Sequence, residues 1–116
     1  MNFCVVQGIV VGEPRVTALA SGETALTFDV QTIGDGGGIG RTSVPVEWKG
    51  PAKKLPKVSP DLAVAVTGSV ARRFYRAQGS TQTRVYIKPF SIVLRQPSKQ
   101  RRLIEDALAA ALAERS

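Results

Sequence analysis

From Thr24 to Thr32 the chain alternates. Leu26, Phe28 and Val30 fall on one parity, and Ala25, Thr27, Asp29 and Gln31 fall on the other. A period of two with a single apolar face is the pattern of a half-buried antiparallel strand. Such a face must be covered, by a second sheet or by the same sheet closing on itself. Short segments of the same kind recur along the chain. Phe3–Val11 is apolar and β-branched, and Gly8 within it suggests a bulge or a barrel corner. Gly12-Glu13-Pro14 punctuates, Arg15–Leu19 continues as a short strand, and Ser21-Gly22-Glu23 reads as a hairpin turn.

The second half repeats the pattern. Arg41–Trp48 places Val44, Val46 and Trp48 on one parity, and Pro45 predicts an edge or bulged strand. Lys49–Pro60 holds Pro51, Pro56 and Pro60, so an irregular connection is expected, with at most one helical turn over Ala52–Leu55. Leu62–Ala71 is a strand with Val64, Val66, Gly68 and Val70 toward the core. Arg72–Lys88 forms a long hairpin turning at Gly79, and Ser91–Leu94 closes the last strand. Ser98 is a fitting N-cap for a helix to about Arg115, with an apolar stripe of Leu103, Ile104, Ala107, Leu108, Ala111 and Leu112. Five or six short strands and one terminal helix predict a mainly β fold. The expected form is a five-stranded OB-type β-barrel with a long hairpin and a C-terminal α-helix. Residues 1–96 are the binding domain of this reading, and 97–116 the amphipathic helix.

Charge narrows the function. The 116 residues carry a net +7, with no His and one Cys. Residues 1–40 sum to −3, whereas 41–95 hold eleven basic residues against Glu47 and Asp61, a net of +9. A basic half on a small domain is the footprint of a polyanion partner, weighed here against a face that merely keeps the chain soluble. Absence of His removes the commonest general base and metal ligand. One Cys excludes a disulfide framework and a Cys-based zinc site. No paired carboxylates stand out, so the expectation is a protein that is not an enzyme, with no catalytic residue, cofactor or metal. Gly34–Gly40 has five glycines in seven residues but matches neither a dinucleotide fingerprint nor a Walker loop, and reads as a mobile hairpin tip. No signal peptide or membrane span is apparent. With Cys4 read as a packing residue, the expected location is cytoplasmic and nucleoid-associated.

The richest segment is Arg72–Lys88, where Arg72, Arg73, Arg76, Arg84 and Lys88 interleave with Phe74, Tyr75 and Tyr86. Cations that track a backbone and aromatics that accept stacked bases are what a single-stranded nucleic acid requires. Parity puts Arg73 with Tyr75 on one arm, and Arg84, Tyr86 and Lys88 together on the other. Phe74 shares the parity of Val70 and is expected in the core, while Tyr75 is expected to stack. Trp48 has two readings: its parity is that of the core, yet it adjoins Lys49, Lys53, Lys54 and Lys57, where it would serve as a platform.

These residues resemble a family. Gly8-Ile-Val-Val-Gly-Glu-Pro-Arg-Val-Thr17, the Ser21-Gly22 turn and Ala25–Thr32 are similar to the N-terminal half of the bacterial single-stranded DNA-binding proteins. Trp48-Lys49-Gly50 resembles the aromatic-Gly end of their third strand. Val66-Thr-Gly-Ser-Val-Ala-Arg-Arg-Phe-Tyr75 resembles their V-x-G-x-L-x-x-R-x-W/Y, and Arg84–Ile92 their closing strand. The resemblance spans residues 2–94. It implies an OB barrel that assembles into homo-oligomers, a dimer or tetramer, and binds single-stranded DNA without a cofactor. Tyr75 matches a stacking aromatic, and Trp48 matches one to within a residue. Three features depart from the pattern. The loop after the second strand lacks an aromatic, the third-strand segment is short, and a helix stands where the family carries an acidic, Phe-ending tail.

The expected function is therefore sequence-independent binding and protection of single-stranded DNA in replication, recombination or repair. Trp48, Lys49, Lys53, Lys54, Arg72, Arg73, Tyr75, Arg76, Arg84, Tyr86 and Lys88 are the candidate contacts. RNA stays open as a ligand, and replication or repair proteins as partners; no membrane partner is expected. The alternative is an OB-fold adaptor or primosomal-type accessory protein acting through protein–protein contacts.

Overall fold

A computed structural model of the chain describes residues 2–33 and 41–113. The glycine-rich segment at 34–40 and the expected helix end near Arg115 lie outside the described residues. Five strands follow one another: β1 (Cys4–Ala18), β2 (Thr24–Ile33), β3 (Arg41–Gly50), β4 (Ala63–Ala77) and β5 (Ser80–Leu94). One helix, α1 (Pro97–Ala113), comes last. The strands close into a barrel in the order β1-β2-β3-β5-β4, with β4 returning to β1. All pairs are antiparallel except β3–β5, which is parallel and joined by the single register pair Val46↔Ile87. The expected fold class is the observed one: mainly β, a five-stranded barrel, a long β4–β5 hairpin and a C-terminal helix.

The alternation in β2 sets the core. Leu26, Phe28 and Val30 point inward and meet Val10, Val46, Val64, Val66 and Ile87, all nearly inaccessible to solvent. Full burial of such side chains contributes about 1.5–3 kcal/mol each. Two glycines allow the strands to close this tightly. A Cβ on Gly8 would run into the Gln31 carbonyl oxygen, and one on Gly68 into that of Lys88. No side chain fits at either place, so the corner expected at Gly8 is a true close approach.

Several local expectations are revised. The first strand runs further than its punctuation suggests: Gly12-Glu13-Pro14 does not end it but is absorbed as a bulge between Val11 and Arg15. Pro45 is not on a free edge, because ring closure gives β3 a neighbour on each side. The missing donor is tolerated beside the very short ladder to β5. The last two segments are one strand, β5, with Phe90 as the extra residue where the register shifts: Thr67 opposes Ser91, but Gly68 opposes Pro89. The outer face of β4 is buried at Ala65 and Thr67 as well as the inner one.

Phe74 is not in the core. It keeps the inward parity of Val70, but β4 and β5 run past the barrel rim, where no described residue encloses that parity, and Phe74 is 66% exposed. The hairpin turns through Gln78 (φ 53) and Gly79 (φ 82), the two positive φ values that a type I′ turn needs.

The helix starts one residue earlier than its expected cap. Pro97 is the first helical residue, where a missing N–H costs nothing, so Ser98 sits inside the first turn. Arg95 (φ 56) and Gln96 (φ 48) make a sharp left-handed corner between β5 and α1. Gln100 is the one buried residue among those described in the helix. It accepts from Gln7 Nε2 at 2.9 Å and donates to the Arg95 carbonyl. Leu103, Ile104, Ala107 and Ala111 are half-buried, whereas Leu108 and Leu112 on the same stripe are largely exposed. No helix among the described residues is long and apolar enough to cross a membrane.

Candidate nucleic-acid interface

Strand register turns two separate parities into one surface. Ser69 opposes Lys88, Ala71 opposes Tyr86, Arg73 opposes Arg84, and Tyr75 opposes Gln82. Opposed residues in an antiparallel pair project to the same side. Arg73, Tyr75, Arg84, Tyr86 and Lys88 therefore share the outer face of the hairpin. That face continues across the barrel. The polar parity of β2 also points outward, with Thr27 paired to Arg15 on one side and to Glu47 on the other.

A shallow groove of about 300 Å³ crosses this surface, lined by Arg15, Thr17, Thr27, Glu47, Arg73 and Arg84. Three of the six are guanidinium groups, so the groove favours anions. Glu47 is the exception. Its side chain is 8% exposed and accepts a hydrogen bond from Arg73 Nη2 in an ion pair. The Arg73 guanidinium carbon also lies over the Tyr86 ring, 5.3 Å from its centroid, in cation–π contact. Arg84 stands 3.9 Å from Asp29, with both side chains roughly half exposed. Such a solvated pair binds weakly and leaves Arg84 available to a ligand. Tyr75 donates its hydroxyl to Gln82 Oε1 at 3.0 Å, which holds its ring along the hairpin arm, 43% exposed.

The remaining candidates lie elsewhere. Arg72 and Arg76 have the opposite parity and share the reverse face of the hairpin with Phe74, opposite Val85 and Thr81. Lys49 is exposed on β3 with the parity of Glu47, while Lys53 and Lys54 project from a single 3₁₀ turn (Ala52–Lys54) after the strand. Trp48 opposes Leu26, packs against the core and folds over Gly50, where a Cβ would come within 2.7 Å of its ring. Trp48 is half-buried against the core, between its two readings.

Sequence reasoning missed Arg15, Thr17, Thr27 and Glu47 as members of this surface. The signal was present in part: Arg15 is the only basic residue before position 41, and Thr27 lies on the polar parity of β2. Their meeting depends on the β1 bulge, which fixes the register, and on closure of β3 onto β5. Among the described residues no group of three or more His, Cys, Asp or Glu is placed to hold a metal ion. No protein-family model matches the chain, and a search of curated proteins finds no match.

Proposed function

We propose that this chain is an OB-type barrel that binds single-stranded DNA without regard to sequence, in replication, recombination or repair. The observation that carries the reading is the single outer face on which Arg15, Arg73, Arg84 and Lys88 lie beside Tyr75 and Tyr86. OB barrels bind oligonucleotides on the strand 2–3 face and its adjoining loops. Here the outer side of β2 and β3 runs without interruption into the basic hairpin. Arg84, Arg15 and Lys88 neutralise phosphates, and Tyr75 offers a ring that any base can stack upon. The resemblance to bacterial single-stranded DNA-binding proteins supports the same function, with assembly into homo-oligomers. A duplex hides its base faces, so it is a poor ligand for such a surface.

The test is fluorescence anisotropy of labelled oligodeoxythymidylate against duplex DNA over a range of salt. Single strands should bind preferentially, with a log–log salt slope of about −0.7 for each phosphate contacted. Equal affinity for duplex, or affinity independent of salt, defeats the reading. An oligoribonucleotide arm decides between DNA and RNA.

A second reading, an adaptor acting through protein contacts, draws on the reverse face of the hairpin. Val70, Phe74 and Val85 stand 44–66% exposed there on one parity. Arg72 and Arg76 lie among them, so this face combines exposed apolar and cationic groups, a mixture suited to a protein contact. Self-association without single-strand binding would favour it.

A further inference from the structure

Arg73 differs from every other cation on the face. Its guanidinium carbon lies over the Tyr86 ring, 5.3 Å from the centroid, and one nitrogen is held by Glu47. Its charge is thus already compensated by a carboxylate that is itself nearly buried. Yet the Arg73 side chain remains 47% exposed. Tyr86 lies to one side and Glu47 holds one nitrogen, so a ligand has access from the side turned away from the ring. The neighbours permit this: the residue facing Tyr86 across the ladder is Ala71, too small to displace the ring from beneath Arg73.

A phosphate gains less from a cation whose charge is already offset by Glu47. A nucleobase gains from the plane. Guanidinium is flat, weakly hydrated and stacks well on π systems. Resting on the proposed single-strand-binding function, we infer that Arg73 is a stacking platform: a base lies on the guanidinium face turned away from Tyr86, completing a Tyr86–Arg73–base column. Glu47 is its positioning residue, fixing the plane before the strand arrives. Phosphate neutralisation falls to Arg84, Arg15 and Lys88. Tyr86 acts from beneath, its own outer face covered by Arg73.

The two roles for Arg73 separate experimentally. Lysine keeps the charge and loses the plane. We would titrate the wild-type protein, Arg73→Lys, Arg73→Gln and Arg84→Gln with labelled oligodeoxythymidylate over a range of salt, and repeat the series on a strand of abasic spacers. A Glu47→Gln/Arg73→Gln double variant, which leaves no unpaired carboxylate, guards against misfolding, checked by thermal melting. Both single Arg73 variants should lose about tenfold to hundredfold in affinity, since one stacked base is at stake. Their salt slope should equal that of the wild type, and the loss should vanish on the abasic strand. Arg84→Gln should instead make the slope shallower by about 0.7 and weaken binding to both strands alike.

The inference is overturned if Arg73→Lys restores wild-type affinity, if Arg73→Gln shifts the slope as Arg84→Gln does, or if the Arg73 penalty persists without bases. Wild-type protein that fails to bind either strand overturns the functional reading itself. Wild-type binding with a phosphate-like Arg73 overturns only the platform.

Discussion

Arg73 and Arg84 face each other across the β4–β5 ladder. Like charges directly opposed on a sheet repel. Each is offset by a carboxylate from another part of the barrel, Glu47 on β3 for Arg73 and Asp29 on β2 for Arg84. The Glu47 pair therefore ties the hairpin to the barrel face, while the solvated Asp29 only tempers the charge of Arg84. Arg73→Ala removes the partner of a nearly buried carboxylate and should destabilise the fold by about 1–3 kcal/mol, read as a lower urea midpoint. Adding Glu47→Gln should recover part of that loss. A double variant less stable than Arg73→Ala alone would show that the pair is not what holds the hairpin down.

Gly50→Ala tests the place of Trp48. A methyl group at residue 50 would overlap the indole at 2.7 Å, so the ring must move. Overpacking of this kind costs about 1–3 kcal/mol. The expected result is a lower melting temperature with a red-shifted tryptophan emission, since a displaced ring meets water. An unchanged emission maximum would mean that Trp48 does not lie over Gly50.

Gln100 fastens the helix to the barrel. Gln100→Ala deletes its bonds to Gln7 and to the Arg95 carbonyl, each contributing about 0.5–1.5 kcal/mol. Amides of α1 should then exchange faster with solvent than those of β2. Uniform protection across both elements would show that the apolar contacts of Ile104 and Ala107 suffice.

Burial pushes the Cys4 thiol above its ordinary value. The raised value disfavours the thiolate in the folded chain, so alkylation at mildly alkaline pH should be slower than in the urea-unfolded protein. The sign for stability follows. The contribution is intact below the unfolded thiol's pKa and declines as pH rises through the interval up to the folded one. Cys4→Ala should flatten that alkaline decline, as equilibrium unfolding at a series of pH values would reveal.

How much of this was legible in the sequence depends on range. The alternation of Leu26, Phe28 and Val30 placed β2 and its core face without help. The same parity rule failed at Phe74, because parity reports which side a residue faces, not whether anything covers that side. Pro45 misled for a related reason: a proline speaks for its own missing donor, whereas ring closure is decided by strands far away. The hairpin carried Arg73, Tyr75, Arg84, Tyr86 and Lys88 openly, in local order. Arg15 and Glu47 join them only through pairings across the barrel, which no local pattern encodes.

The ring is closed by one register pair, Val46↔Ile87, with Glu47 reaching over β5 to Arg73 just beside it. A hoop fails at its shortest weld. Opening of the barrel is expected to begin there, and a ligand lying across Glu47, Arg73 and Arg84 would act as a splint over that weld. On the proposed function, the tightness of the barrel and its grip on a single strand would be one mechanical property, set at the same joint.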